Sequence, residues 1–312
     1  MPNDIYDAIV VGGSWAGLSA TMQLARARRR VLVVDAGQPR NRFAHTSHGF
    51  LGQDGRTPAA ILDTARAQVL AYPTAEFRPD EATRATPTTE APNAEFEIGL
   101  ASGATVRARR LVLATGVVDE LPDVPGLRER WGRSVLHCPY CHGFEVAGQR
   151  LGVMAVSESS MHQALLLPDW SNNVTLFTNG AFDPTDEHRA ALAGRGVVLD
   201  PRPLVEVVGD GESLAGVRVA TDDGTDIVAL DALFTASRTR MASPLAEQLG
   251  CAFDDGPFGP VIRTDAKKET TVPGVYAAGD AARVPHNATW ASADGVTAGI
   301  YAHQSLALAD AV

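Results

Sequence analysis

Cysteine is scarce in this chain, with three in 312 residues: Cys138, Cys141 and Cys251. That number excludes a secreted, disulfide-framed domain and fits a reducing compartment, where a closely spaced pair is metal-binding or catalytic. Basic charge is also in deficit, with 27 Lys and Arg against 37 Asp and Glu and a net charge of -10. General affinity for nucleic-acid phosphates or anionic membranes is therefore not expected. No apolar run approaches the roughly 18 residues of a membrane span. The opening MPNDIYDAIVVGG has neither a basic leader segment nor a cleavage site, so a cytoplasmic protein is expected. Short repeats, low-complexity tracts and heptads are absent too. What is present is a folded chain, 45% hydrophobic and 21% charged, long enough for two packed domains.

The first segment reads as strand, glycine turn, helix, strand: IYDAIVV, GGSWAG, LSATMQLARARRR, VLVVDAG. Apolar runs of buried-strand length bracket a helix-period stretch, the pattern of a parallel βαβ unit. The basic cluster at 26–30 closes that helical pattern, where cations complement the helix dipole. A second βαβ start begins near RLGVMAV, continues through the helical SMHQALLLPDW and reaches the strand NVTLF. Between the two, EFEIGLASGATVRARRLVLATG predicts a hairpin and then a buried strand. Near the end, GVYAAGDAA predicts a strand running into a Gly-Asp turn, followed by a helix over about 288–309. Nucleotide-binding sheets take ligands at the carboxyl ends of their strands, so these turns are expected to close over one cofactor.

In G-x-G-x-x-G the first glycine makes the tight turn, the second lets the backbone approach a pyrophosphate and the third permits close helix packing. Here the positions read Gly12, Gly13, Ser14, Trp15, Ala16 and Gly17, with serine at the second glycine. The helix start still offers N–H groups to a phosphate, and Asp35 ends the next strand about 20 residues on, where an acid holds a ribose hydroxyl.

The stretch HCPYCHGFE carries the remaining chemistry. Thiol–disulfide exchange needs a thiolate, and a C-x-x-C at the start of a helical turn lowers one cysteine pKa. An imidazole at His142, beside Cys141, supplies a base able to take a thiol proton near neutrality. Structural zinc needs four ligands, and Cys251 has no partner near it in sequence, so no metal is expected. A passive disulfide of this spacing would staple only a tiny loop. Cys251 itself reads as a buried apolar residue. His45 and His48 would line the substrate face of a cofactor or hydrogen-bond within a loop, and Trp290 would pack or contact substrate.

The glycine turn with its acid, LATG, the C-x-x-C midway along the sequence and VYAAGD together resemble the low-molecular-weight thioredoxin reductases over nearly the full length. The resemblance implies an α/β fold with two three-layer Rossmann-like domains of the pyridine nucleotide-disulfide oxidoreductase class. It places FAD binding in 1–117 and 246–312, and the C-x-x-C in an inserted domain, 118–245. By the same resemblance Gly12, Gly13, Ser14, Trp15, Ala16, Gly17, Asp35 and Ala36 hold the diphosphate and ribose of FAD. Thr115, Gly116, Gly279 and Asp280 join them, with Arg40, Asn41 and His48 from RNRFAHTSHGFLGQDG. A homodimer is also implied.

Two departures from that family matter. The inserted domain has AVSESS where the family has G-x-G-x-x-A for NADPH, and TLFTNG where it has a basic cluster for the 2′-phosphate. His142 stands where the family has Asp, a form similar to the flavin-dependent dithiol oxidases of gliotoxin, holomycin and romidepsin formation, which need no NADPH. The expected reaction is oxidation of a small-molecule dithiol or a thioredoxin-like protein. Cys138 exchanges with the substrate, Cys141 delivers electrons to the flavin, His142 manages protons and oxygen is the acceptor. The alternatives are a thioredoxin reductase fed by ferredoxin, another donor or NADPH, and an FAD-containing redox sensor.

Overall fold

The structure, a computed structural model, describes residues 5–88 and 95–309. Residues 1–4, 89–94 and 310–312 lie outside the described residues. Two compact units form, one from Met1–Arg42, Ala59–Val118 and Thr239–Val312, the other from Phe43–Pro58 and Asp119–Arg238. Phe43–Pro58 follows the second strand of the first unit in sequence, yet its contacts lie with the second unit. A Cβ on Gly132 would stand 2.9 Å from Phe43 Cβ, and His45 Nε2 lies 3.0 Å from Glu212 Oε2.

In chain order the elements of the first stretch are β1 (Ile5–Val11), α1 (Trp15–Arg26), β2 (Val31–Asp35), α2 (Pro58–Leu70), β3 (Ala75–Pro79), β4 (Ala82–Pro87), β5 (Phe96–Leu100) and β6 (Thr105–Leu113). After β7 (Val117–Glu120) come β8 (Val135–Leu136), α3 (Pro139–His142), β9 (Leu151–Met154), α4 (Met161–Leu166), β10 (Val174–Phe177), α5 (Asp186–Gly194), β11 (Val198–Asp200), β12 (Leu204–Asp210), β13 (Ser213–Thr221), β14 (Gly224–Ala229) and β15 (Ala232–Thr235). The last stretch holds β16 (Arg238–Met241), α6 (Leu245–Gln248), β17 (Phe253–Asp255), β18 (Pro260–Ile262), β19 (Val275–Ala277) and α7 (Ala288–Ala309).

The sheet of the first unit has the order β3-β2-β1-β6-β5-β4, with β19 also pairing to β6. β1, β2, β3, β6 and β19 run parallel, and β4–β5–β6 form the antiparallel arm that the hairpin pattern predicts. Side chains alternate across it, as the two-residue period requires: Ala8 and Val10 join a cluster with α1 and α7, Ile9 and Val11 one with α6 and Ile262. Helices α1 and α7 meet almost backbone to backbone. A Cβ on Gly295 would fall 2.0 Å from Ala16 O, and one on Gly299 2.5 Å from Ala20 O.

α1 ends at Arg26, the first residue of the basic cluster, because Arg28 turns into the left-handed region at φ 61°. Only Arg26 therefore lies in the last helical turn. Arg29 pairs with Asp7 at 3.5 Å and Arg30 with Glu76 at 3.3 Å, so these cations tie the helix exit to neighbouring strands.

The second unit is built on an all-parallel sheet, β11-β10-β9-β15-β8. Leu151, Val153 and Phe234 face α4 and α5 through Met161, Ala164 and Leu192. Met154, Phe177 and Leu233 face Val207, Val217 and Val219 of the antiparallel sheet β12-β13-β14. Each unit is thus a layered Rossmann-like α/β body. Among the described residues, no helix is long and apolar enough to cross a membrane.

Candidate active site

In the first unit, turns leave the carboxyl ends of β1, β6 and β19. Gly12 has φ 104°, and a Cβ there would lie 2.2 Å from Ala114 O, so glycine lets this turn run against the end of β6. Gly17 is also required, since its Cβ would stand 1.8 Å from Gly12 O and push α1 off its own turn. Gly13 N–H donates to Asp35 Oδ1 at 2.9 Å, which holds the carboxylate over the turn. Ser14 stands at the cap of α1 with its hydroxyl making no capping hydrogen bond, and no acid occupies the first turn. A helix start of this kind attracts an anion.

The later turns close on the same place. Gly279, at φ 73°, would carry a Cβ 2.9 Å from Ala16 Cβ. Asp280 Oδ2 accepts from Arg40 Nη1 at 3.0 Å, and that nitrogen lies 2.6 Å from His286 Nδ1. Thr115 and Gly116 follow Ala114 at the end of β6, and Ala36 is exposed just beyond Asp35. Next to Arg40, Asn41 Oδ1 is buried without a hydrogen-bond partner. A diphosphate-bridged dinucleotide fits this set. The α1 start suits the diphosphate, Asp35 suits a ribose, and the orphaned Asn41 acceptor suits a donor on the ligand, since buried polar atoms are normally paired.

The cysteine pair belongs to the second unit. Cys138 is the cap residue of α3, and Pro139, preset in φ, begins it. Gly143 N–H bonds to Pro139 O, and a Cβ on Gly143 would lie 2.9 Å from the Trp170 ring. Trp170 also meets Tyr140 edge-on at 5.7 Å between centroids, so the turn is seated on that indole. Cys138 and Cys141 are both half-buried. A hydrogen bond from the Cys141 side chain pulls the Cys138 thiol below its ordinary pKa, backbone N–H groups of Cys141 and Tyr140 add to this, and burial opposes it. Burial pushes the His142 imidazole below its ordinary value, with Glu145 pulling up and His48 pushing down. His142 is therefore a neutral proton acceptor at neutral pH.

His48 belongs to the second unit. Its Nε2 lies 3.4 Å from Glu145 Oε1 and 3.0 Å from Thr46 Oγ1. Cys251 is buried against Thr270, and burial raises its thiol pKa. Trp290 is 44% exposed, with the Arg283 guanidinium 5.7 Å from its ring. Two residues escape the sequence reading. Arg66 lies 3.9 Å from Asp35 and stacks at 4.2 Å over Phe77. Glu145 falls three residues beyond His142, a spacing that puts side chains on one side of a helical turn and is a usable signal.

At the end of β9, where a second nucleotide would dock, the turn is occupied by its own side chains. Val156 N–H donates to Ser160 Oγ at 3.1 Å, and Ser157 and Ser159 hydroxyls lie 2.7 Å apart. Glu158 sits in the first helical turn, 3.5 Å from His188. Beyond β10, Thr178 N–H donates to Asp200 O, and Asn179 Oδ1 accepts from Leu204 N–H at 2.8 Å.

Residues 6–295 match the pyridine nucleotide-disulphide oxidoreductase family. The protein is 34% identical to thioredoxin reductase tcpT of Claviceps purpurea, over 99% of its own length and 96% of that relative's. Among solved structures, an oxidoreductase from Agrobacterium tumefaciens is similar at 45% identity and TM-score 0.90, the match covering 97% of the protein and 99% of that structure. HlmI is similar at 39% identity and TM-score 0.92, with 99% and 95% covered. The protein therefore belongs to the pyridine nucleotide-disulphide oxidoreductase family, as a thioredoxin reductase-like flavoenzyme with FAD as its cofactor.

Proposed function

We propose that this enzyme oxidises dithiols to disulfides, with oxygen as final acceptor and no need for NADPH. The observation that carries the reading is the contrast between the two Rossmann-like turns. The Gly12 turn offers a helix start without acid. The β9 turn binds its own amide with Ser160, places Glu158 where a phosphate would come, and has no cation among Thr178, Asn179 and Gly180.

In this reading Gly12, Gly13, Ser14, Trp15, Ala16 and Gly17 seat the FAD diphosphate. Asp35 and Ala36 border its ribose, and Arg40, Asn41, Thr115, Gly116, Gly279 and Asp280 border the rest. When bound, FAD supplies the chemistry that takes two electrons from the reduced cysteine pair and passes them to dioxygen as hydrogen peroxide.

The protein's own residues carry the thiol chemistry. His142 takes the proton of the first substrate thiol, and the resulting thiolate bonds to Cys138 Sγ as the Cys138–Cys141 bond breaks, leaving a Cys141 thiolate. Once the imidazolium has released that proton to solvent, His142 takes the proton of the second substrate thiol, and this sulfur displaces Cys138 and closes the substrate disulfide. In that step Cys141 is a thiolate and donates nothing to Cys138, and the backbone N–H groups of Cys141 and Tyr140 receive the departing sulfur. The substrate loses two electrons and two protons, and the cysteine pair gains the electrons.

Tyr140 and Phe144, 72% and 83% exposed beside the pair, suit a small-molecule dithiol or a thioredoxin-like partner presenting an apolar surface. A homodimer is part of the same proposal. Aerobic incubation with dithiothreitol, without any pyridine nucleotide, tests it. One peroxide should form per disulfide; disulfide formation that waits on an added donor or acceptor other than oxygen would contradict it.

A further inference from the structure

Loop 47–56 is closed on itself. Ser47 pairs antiparallel with Arg56, and Asp54 Oδ1 accepts from Gly49 N–H at 2.8 Å. It carries a partly buried imidazole, His48, whose Nδ1 lies 3.6 Å from Asp54 Oδ1 and whose Nε2 lies 3.4 Å from Glu145 Oε1. Glu145 is three residues past His142, and the His142 imidazole feels both the carboxylate and His48. Among the described residues, Glu145 of its own segment and His48 of the loop are the charged and titratable groups that act on His142. Asp54 is the further acid at His48.

We propose that His48 and Glu145 are positioning residues for His142: one carboxylate is divided between two imidazoles, and that division decides how readily His142 takes and releases the substrate's proton. The inference rests on the dithiol-oxidase reading. In the exchange step the substrate S–H gives its proton to an imidazole nitrogen of His142. The electron pair stays on sulfur and forms the bond to Cys138 Sγ, while Cys141 leaves with the pair from the broken disulfide. The new imidazolium then faces Glu145. A carboxylate can stabilise that cation fully only when His48 is neutral, because a second imidazolium competes for it. The loop is thereby part of the proton machinery, although its sequence position is far from the cysteines.

The test is a proton NMR titration of the histidine rings in the FAD-loaded protein, with His142 assigned by the signal lost in His142→Ala. The anaerobic rate of flavin bleaching by dithiothreitol is followed over the same pH range. His48→Gln removes the second imidazole at Glu145 and keeps hydrogen-bonding capacity; the His142 titration should move up by at least about 0.3 pH unit, the scale of a partly exposed ion pair. Glu145→Gln should move it down by a similar amount, and Glu145→Asp should restore it toward wild type. The acid limb of the rate profile should follow the NMR titration in each variant. A His142 titration unmoved in either His48→Gln or Glu145→Gln overturns the proposal, as does a drop in rate at every pH without a shift. Absence of dithiol bleaching in the wild type defeats the underlying reading instead, and the NMR arm still judges the cluster.

Discussion

His142 is held neutral by burial, and its neighbours pull in opposite directions, so the rate of dithiol oxidation should depend on pH in a defined sense. A base whose pKa is depressed stays competent until the pH falls below that depressed value. The acid-side fall in kcat/KM should therefore lie below the ordinary imidazole range of about 6.5. His142→Ala should lose that limb and be slower by roughly 10²-fold to 10⁴-fold while retaining FAD. Cys138→Ser and Cys141→Ser should each abolish disulfide formation from dithiothreitol, measured by loss of substrate thiol. Turnover unchanged in both serine variants would make the pair structural. The proposed roles of Cys138, Cys141 and His142 can be read from sequence because the three lie within five residues and thiol exchange needs that spacing. His48 and Glu145 are not legible as partners, since their contact is made by the tertiary folding of a loop.

Elements were legible where periodicity is strong. The strand and helix patterns around GGSWAG, the hairpin into LATG and the long final helix stand where the residue periods put them. α1 stops earlier than its apolar pattern because Arg28 takes a left-handed conformation, which no side-chain period announces. The antiparallel sheet β12-β13-β14 has weak alternation, and only the turns at Gly211 and Gly224 punctuate it. The α1–α7 contact was illegible too, because it depends on Gly295 and Gly299 of one helix facing Ala16 and Ala20 of another, distant in sequence. It gives a sharp prediction. Gly295→Ala places a methyl 2.0 Å from a backbone oxygen of Ala16, in the segment proposed to seat FAD, and should cost about 1–3 kcal/mol with faster loss of flavin on heating. Gly194→Ala in α5 meets nothing within 4 Å and should be neutral or slightly stabilising. Thermal melts followed by flavin fluorescence read both, and equal Tm values would contradict the packing argument.

At the scale of the molecule, two Rossmann-like units of similar plan carry turns of opposite character. The purified protein should be yellow, and heat should release FAD, not FMN. Asp35→Ala removes the carboxylate that Gly13 N–H orients and should weaken FAD binding about tenfold, the loss of a hydrogen bond to a charged group, as read by equilibrium dialysis of the flavin. The most direct test of the central claim is anaerobic stopped-flow bleaching of the bound FAD by NADPH and, separately, by dithiothreitol. The account predicts fast bleaching by the dithiol and little or none by NADPH, because the β9 turn has its amide bound by Ser160 and an acid at its helix start. Rapid bleaching by micromolar NADPH, with slow bleaching by the dithiol, would contradict it.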